Sequence, residues 1–197
     1  MDPRRSAEEN EEPEEKLGGL FMRLIKRRTV LLTRPIDKRV MERFTIAVLL
    51  MEFEDPDAPI NLIVNSPGGD ADSGFAMYDL LRFVKPKVRS LCAGLCASAA
   101  IPVFLGAEPG ERYSLPNSRF LLHQPSMQTM GVASDVEITA NELVKVRDRY
   151  NEIVAREINR PAKQIAKDVN RDFWLTAQEA QEYGLVTKVI EKRAEFE

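Results

Sequence analysis

The stretch "INLIVNSPGGDADSGFAMYDLLRFVKPKVRSLCAG" (60–94) decides the fold class of this chain. "INLIVN" (60–65) is an apolar run of strand length, and it breaks into Ser66-Pro67-Gly68-Gly69-Asp70, a turn that neither a strand nor a helix carries through. A helix is expected over about 73–84, stopped by Pro86, and "VRSLCAG" (88–94) reads as the next buried strand.

The same alternation continues on both sides. Upstream, "TVLLT" (29–33) is a strand candidate, and Val40, Phe44, Ala47, Val48 and Met51 have helical spacing within 37–54. Downstream, "GLCASAAIPVFLG" (94–106) turns into a helix near Ser98, and "ERYSLPNSRFLLHQPS" (111–126) reads as a strand, a turn at Pro116-Asn117, and a strand over 119–122 ending at His123. A long helix is expected over about 134–158, opened by Ser134 and Glu137 at the spacing of a capping box. A shorter helix follows Pro161, then an extended "DFWL", a helix over 176–183 closed by Gly184, and a last strand "LVTKVI". The pattern is that of an α/β protein of stacked β-α units, whose reactive groups gather at strand C-terminal ends.

Bulk properties narrow the function. A chain of 197 residues, 44% apolar and 30% charged, has the make-up of one soluble domain with a real core. A net charge of −3 gives no reason to expect nucleic acid or an anionic membrane as partner. No apolar run approaches the ~20 residues of a membrane span. The lead "MDPRRSAEENEEPEEK" lacks the apolar centre of a signal peptide, so the expected location is cytoplasmic. Residues 1–28 read as an acidic, flexible segment in which 18–28 form a short helix or an extended arm. The folded domain is placed at 29–192, and 193–197 read as a short tail. Cys92 and Cys96 make no disulfide framework and, with one histidine in the chain, no zinc site; both read as small buried residues.

Three features lie at strand ends: the Gly68-Gly69 turn, Ser98 among alanines, and His123. Paired glycines admit positive φ and let a backbone approach a ligand closely. Ser98 alone reads first as a cap or packing residue and otherwise as a nucleophile, and a nucleophile there has the amide of Ala99 beside it as an oxyanion donor. Any imidazole base must be His123. The carboxylate to orient it stays open among Asp70, Asp72, Asp135, Asp168 and Asp172.

Longer segments resemble one family. The 60–100 stretch is similar to the SPGG turn and serine segment of the proteolytic subunit of the Clp protease (ClpP), a serine peptidase of the Clp/crotonase fold. "YSLPNSRFLLHQP" (113–125) is similar to that family's L-P-N-[SA]-R-x-x-[IL]-H-Q-P, and "VNRDFWLTAQEAQEYGLVTKVI" (169–190) to its C-terminal segment. The resemblance implies Ser98 as nucleophile, His123 as base and Asp172 as orienting acid, with the amides of Gly69 and Ala99 as oxyanion hole. It implies a protruding handle at about 134–158 and two stacked heptameric rings enclosing a chamber for unfolded polypeptides. It implies no cofactor or metal in this chain, and ATP used by a partner AAA+ unfoldase of the ClpX or ClpA/ClpC type.

Departures accompany the likeness. Ala99-Ala100 stands where the family has Met-Gly, which is expected to widen the adjoining pocket. Cys96 replaces alanine, Arg34 a common glycine, and Thr187 an acidic residue. The family's N-terminal F-D-I-Y-S-R-L-L segment has no good counterpart. The expected activity is that of an ATP-dependent serine endopeptidase. The alternatives are a non-catalytic or weakly active subunit of a mixed ring and, behind it, a crotonase-type acyl-CoA enzyme.

Overall fold

The computed structural model describes residues 19–196. Strands β1 (Thr29–Leu32), β2 (Ile60–Ser66), β3 (Val88–Ala97), β4 (Arg112–Ser114) and β7 (Lys188–Val189) form a sheet in the order β1-β2-β3-β4-β7, and these neighbours all run parallel. The crossovers between the first three are α1 (Lys38–Glu54) and α2 (Ala71–Phe83), opened by Asp37 and Asp70, whose side chains accept from Val40 N–H and Ser73 N–H. Helix α3 (Ala100–Leu105) follows β3, and every one of its residues is buried.

β3 is longer than its sequence signal, because it serves two partners. Ser90–Cys92 pair with β4, and Leu95–Ala97 pair with β5 (Arg119–Leu122). Between them lies an irregularity: Val64 pairs Cys92, but Ser66 pairs Cys96. The extra residues leave ladder groups without partners, and two side chains take their place. Asn65 Oδ1 accepts from Leu95 N–H, while Ser118 Oγ accepts from Gly94 N–H and donates to Cys92 O. At the far side β5 pairs antiparallel with β6 (Phe173–Thr176), the only antiparallel pairing of these strands.

Helix α4 (Ala133–Glu157) is the expected long handle. Its buried residues begin at Tyr150 and Val146 packs against the core edge, so its first three turns stand clear of the core, with Val136 and Ile138 exposed. The helix is not opened by a Ser134–Glu137 box. It starts at Ala133 after Val132, whose carbonyl accepts from Asp135 and Val136, so Ser134 already lies inside the first turn and cannot cap it. The helix base is locked by a buried ion pair, Glu157 with Arg112. Arg112 also donates to the carbonyls of Leu105, Ala107 and Glu157, and Tyr78 OH donates to the same carboxylate. Helices α5 (Ala162–Asp168) and α6 (Ala177–Tyr183) complete the chain; Thr176 and Glu179 form a reciprocal capping box on α6, and Gly184 closes it at φ +99°.

Both ends of the folded unit extend past the expected boundaries. Residues 1–18 lie outside the described part, but 19–26 are helical and Ile25 is in the core. Arg28 fastens this helix by donating to the carbonyls of Met51, Ala58 and Pro59. The 193–197 tail includes a docked turn, Arg193–Glu195, with Phe196 buried against Leu91, Ile190, Tyr113 and Leu115. The last strand is shorter than "LVTKVI": Lys188 and Val189 pair with β4, and the flanking N–H groups of Thr187 and Ile190 donate to Arg112 O and Ser114 O.

Candidate active site

Ser98 leaves β3 with φ +54°, a left-handed conformation unusual for a residue with a side chain. Two bonds hold it there: its N–H donates to Leu121 O at 2.9 Å, and its carbonyl accepts from Ile101 N–H at 3.0 Å. Ser98 is not the cap of α3. The N-cap position is Ala99, which has no side-chain bond to give, and helical residues start at Ala100. A half-buried hydroxyl on a strained turn, with no capping duty, is free for chemistry.

The diglycine turn lies against this elbow. A Cβ on Gly68 (φ +83°) would meet Ala97 O at 2.5 Å, Ser98 Cβ at 2.7 Å and Ala99 N at 2.8 Å, so only glycine lets the two segments touch. Gly69 pairs Ile36 in an isolated parallel bridge, with Ile36 N–H donating to Gly68 O and Asp70 N–H to Ile36 O. In that pattern the N–H of Gly69 itself points away from Ile36. Ser66 steadies the turn, its hydroxyl donating to Arg34 O and accepting from Gly68 N–H. The amides of Gly69 and Ala99 thus belong to two backbone segments in direct contact. The Ala99 methyl is buried and faces Gly74, where a Cβ would come within 3.1 Å of it.

His123 and Asp172 lie at one end of the β5–β6 ladder, and β5 also pairs with β3, the strand that leads into Ser98. The ladder's last pair is Leu122 with Phe173, so the next residues outward, His123 and Asp172, stand side by side. His123 Nδ1 lies 4.0 Å from Asp172 Oδ1, ion-pair range for a protonated imidazole and longer than a hydrogen bond. His123 is 29% and Asp172 65% exposed, so the pair faces solvent. Of the other carboxylates left open by spacing, Asp70 caps α2, Asp168 accepts from Tyr183 OH, and Asp72 lies near Arg149; Asp135 sits in the first turn of α4.

Cys96, two residues before Ser98, is no rival nucleophile. Burial holds its thiol well above the ordinary value, and the Cys92 thiol is pushed up to about 12 by the same cause, so both stay protonated near neutral pH. Among the described residues no cluster of three His, Cys, Asp or Glu side chains is placed to hold a metal ion, and no helix is long and apolar enough to cross a membrane. Spacing alone missed Ser66, Asn65 and Ser118, whose hydrogen bonds shape the two turns around Ser98; Ser66 carried a signal as the first residue of SPGG.

Comparison with known proteins identifies the family. Residues 12–193 match the family described as Clp protease. The chain belongs to the Clp protease family. It is 40% identical over 192 residues to the ATP-dependent Clp protease proteolytic subunit 2 of Treponema denticola, covering 96% of both chains. Among solved structures it is similar to a point mutant of ClpP1 from Listeria monocytogenes, with TM-score 0.83 and 38% identity over 90% of this chain and 99% of that one. The fold is therefore the ClpP fold, and the enzyme class is serine-type peptidase, a hydrolase of peptide bonds.

Proposed function

We propose that this Clp protease chain hydrolyses unfolded polypeptides as a serine endopeptidase with Ser98 as nucleophile, His123 as base and Asp172 as orienting acid. The observation that carries the reading is the contact of the Gly68-Gly69 turn with the strained Ser98-Ala99 elbow. Ser98 Oγ attacks the scissile carbonyl carbon as His123 takes its proton. The carbonyl oxygen becomes an oxyanion held by the Gly69 and Ala99 amides. The C–N bond then breaks, the amine leaves with the proton from His123, and water, deprotonated by His123, cleaves the acyl-Ser98 ester. Asp172 stabilises the imidazolium in both halves, which needs its carboxylate to close the 4.0 Å gap to Nδ1.

Assembly into two stacked heptameric rings in the cytoplasm, fed by an ATP-driven AAA+ unfoldase, belongs to the same reading. Its support is apolar surface that a lone chain leaves in water: Ile46, Leu49, Leu50 and Phe53 on α1, Phe83 beyond it, and Val136, Ile138 and Val144 on the handle. No cofactor is assigned to the chain itself. A second reading, a weakly active subunit of a mixed ring, draws on the separation of His123 from Asp172. The test is purified protein sized by light scattering and assayed on a short fluorogenic peptide and on unfolded casein. Particles of about fourteen chains with activity abolished by Ser98→Ala support the main reading; inactive particles that gain activity only with a second subunit support the other.

A further inference from the structure

His123 and Asp172 sit one residue beyond the end of the β5–β6 ladder, the place where an antiparallel pair frays. The next residue along, Gln124, closes that end. Its N–H donates to Val169 O at 3.2 Å, and its side-chain Nε2 donates to Asn170 O at 2.8 Å. Val169 is buried and its own N–H donates to Ile165 O, so the clamp is anchored on α5. His123 therefore lies between two attachments of its strand, Leu122 and Gln124. Asp172 lies between the matching attachments of the returning chain, Phe173 and Asn170. Only residues 171 and 172 separate the Asn170 attachment from the ladder.

We infer that Gln124 is a positioning residue whose side-chain amide, through the 169–171 turn, sets the distance between His123 and Asp172. This rests on the triad assignment above. The gap to be held is small and matters steeply: 4.0 Å must shorten by about 1 Å to become a hydrogen bond. A misplacement of that size costs about a hundredfold in rate. Gln124 is exposed and borders an open cleft of about 250 Å³ with Arg147, Asp148 and Ala166, so a side chain of equal length fits without repacking the core.

The experiment compares Gln124→Met, of similar length with no donor, in the wild-type and Asp172→Asn backgrounds, using full-length protein and a short fluorogenic peptide. Gln124→Met is expected to lower kcat about tenfold to a hundredfold with KM within about twofold. In the Asp172→Asn background it adds less than about twofold, because the group being positioned is already lost. If Gln124→Met does not fold, Gln124→Glu, which also lacks the donor at neutral pH, carries the same comparison. Unchanged kcat, or an equal loss in both backgrounds, overturns the inference while leaving the triad intact. Wild-type turnover by Ser98→Ala overturns the triad and the inference with it.

Discussion

Gly68→Ala is the substitution for which the structure gives the sharpest expectation. Gly68 adopts φ +83°, and an alanine pays roughly 1–2 kcal/mol to hold a left-handed conformation. Its methyl would also lie 2.5 Å from Ala97 O and 2.8 Å from Ala99 N, both backbone atoms that cannot swing aside as a side chain does. Overpacking of this kind costs about 1–3 kcal/mol more. Gly110 is the matched control: φ +103° with nothing within 4 Å of its added Cβ, so Gly110→Ala carries the conformational cost alone. Urea denaturation should therefore place Gly68→Ala about 1–3 kcal/mol below Gly110→Ala. Relief of the clash must move the elbow that carries Ser98, so peptide turnover by Gly68→Ala should fall about a hundredfold while Gly110→Ala keeps it. Equal stability of the two variants together with full turnover by Gly68→Ala would refute the contact and the role given to it.

Two further expectations concern other parts of the fold. Glu157→Ala leaves the buried Arg112 guanidinium without its carboxylate and should cost about 3–5 kcal/mol in urea denaturation, since an unpaired buried charge is left behind. Glu195 accepts from Lys188 Nζ and from the N–H groups of Glu191 and Lys192, which hold its carboxyl at about 2, below the ordinary 4.5. A depressed carboxylate value stabilises the fold fully above about 4.5 and less and less as pH falls through about 2. The turn seating Phe196 should loosen over that acid window, read as a change in the Phe196 and Tyr113 ring signals by NMR, and Glu195→Gln should remove the pH dependence.

The strand–helix alternation was legible because buried parallel strands such as "INLIVN" are short apolar runs bounded by turn residues. Ser98, His123 and the diglycine could be flagged for the same reason, as polar or small residues at the ends of such runs. Asp172 could not be separated from four other aspartates by spacing, since its place beside His123 is set by a ladder between β5 and β6, pieces distant in sequence. The family resemblance supplied that assignment instead. The irregularity in β3 was hidden for a like reason: Asn65 and Ser118, which complete its hydrogen bonds, lie on other segments. The Ser134–Glu137 pattern misled because capping spacing recurs by chance inside a helix, and the backbone at Val132 decides where α4 begins. Residues 19–28 and Phe196 looked peripheral by composition, yet single anchors, Ile25, Arg28 and the Phe196 ring, bring them into the fold.

The central claim is that Ser98 is the nucleophile. Its most direct measurement is reaction of the purified chain with a fluorophosphonate, followed by mass spectrometry of the digested protein. The account predicts one adduct, on the peptide containing Ser98, lost in Ser98→Ala and slowed in His123→Ala. An adduct on another residue, or equal labelling of wild type and Ser98→Ala, would contradict it.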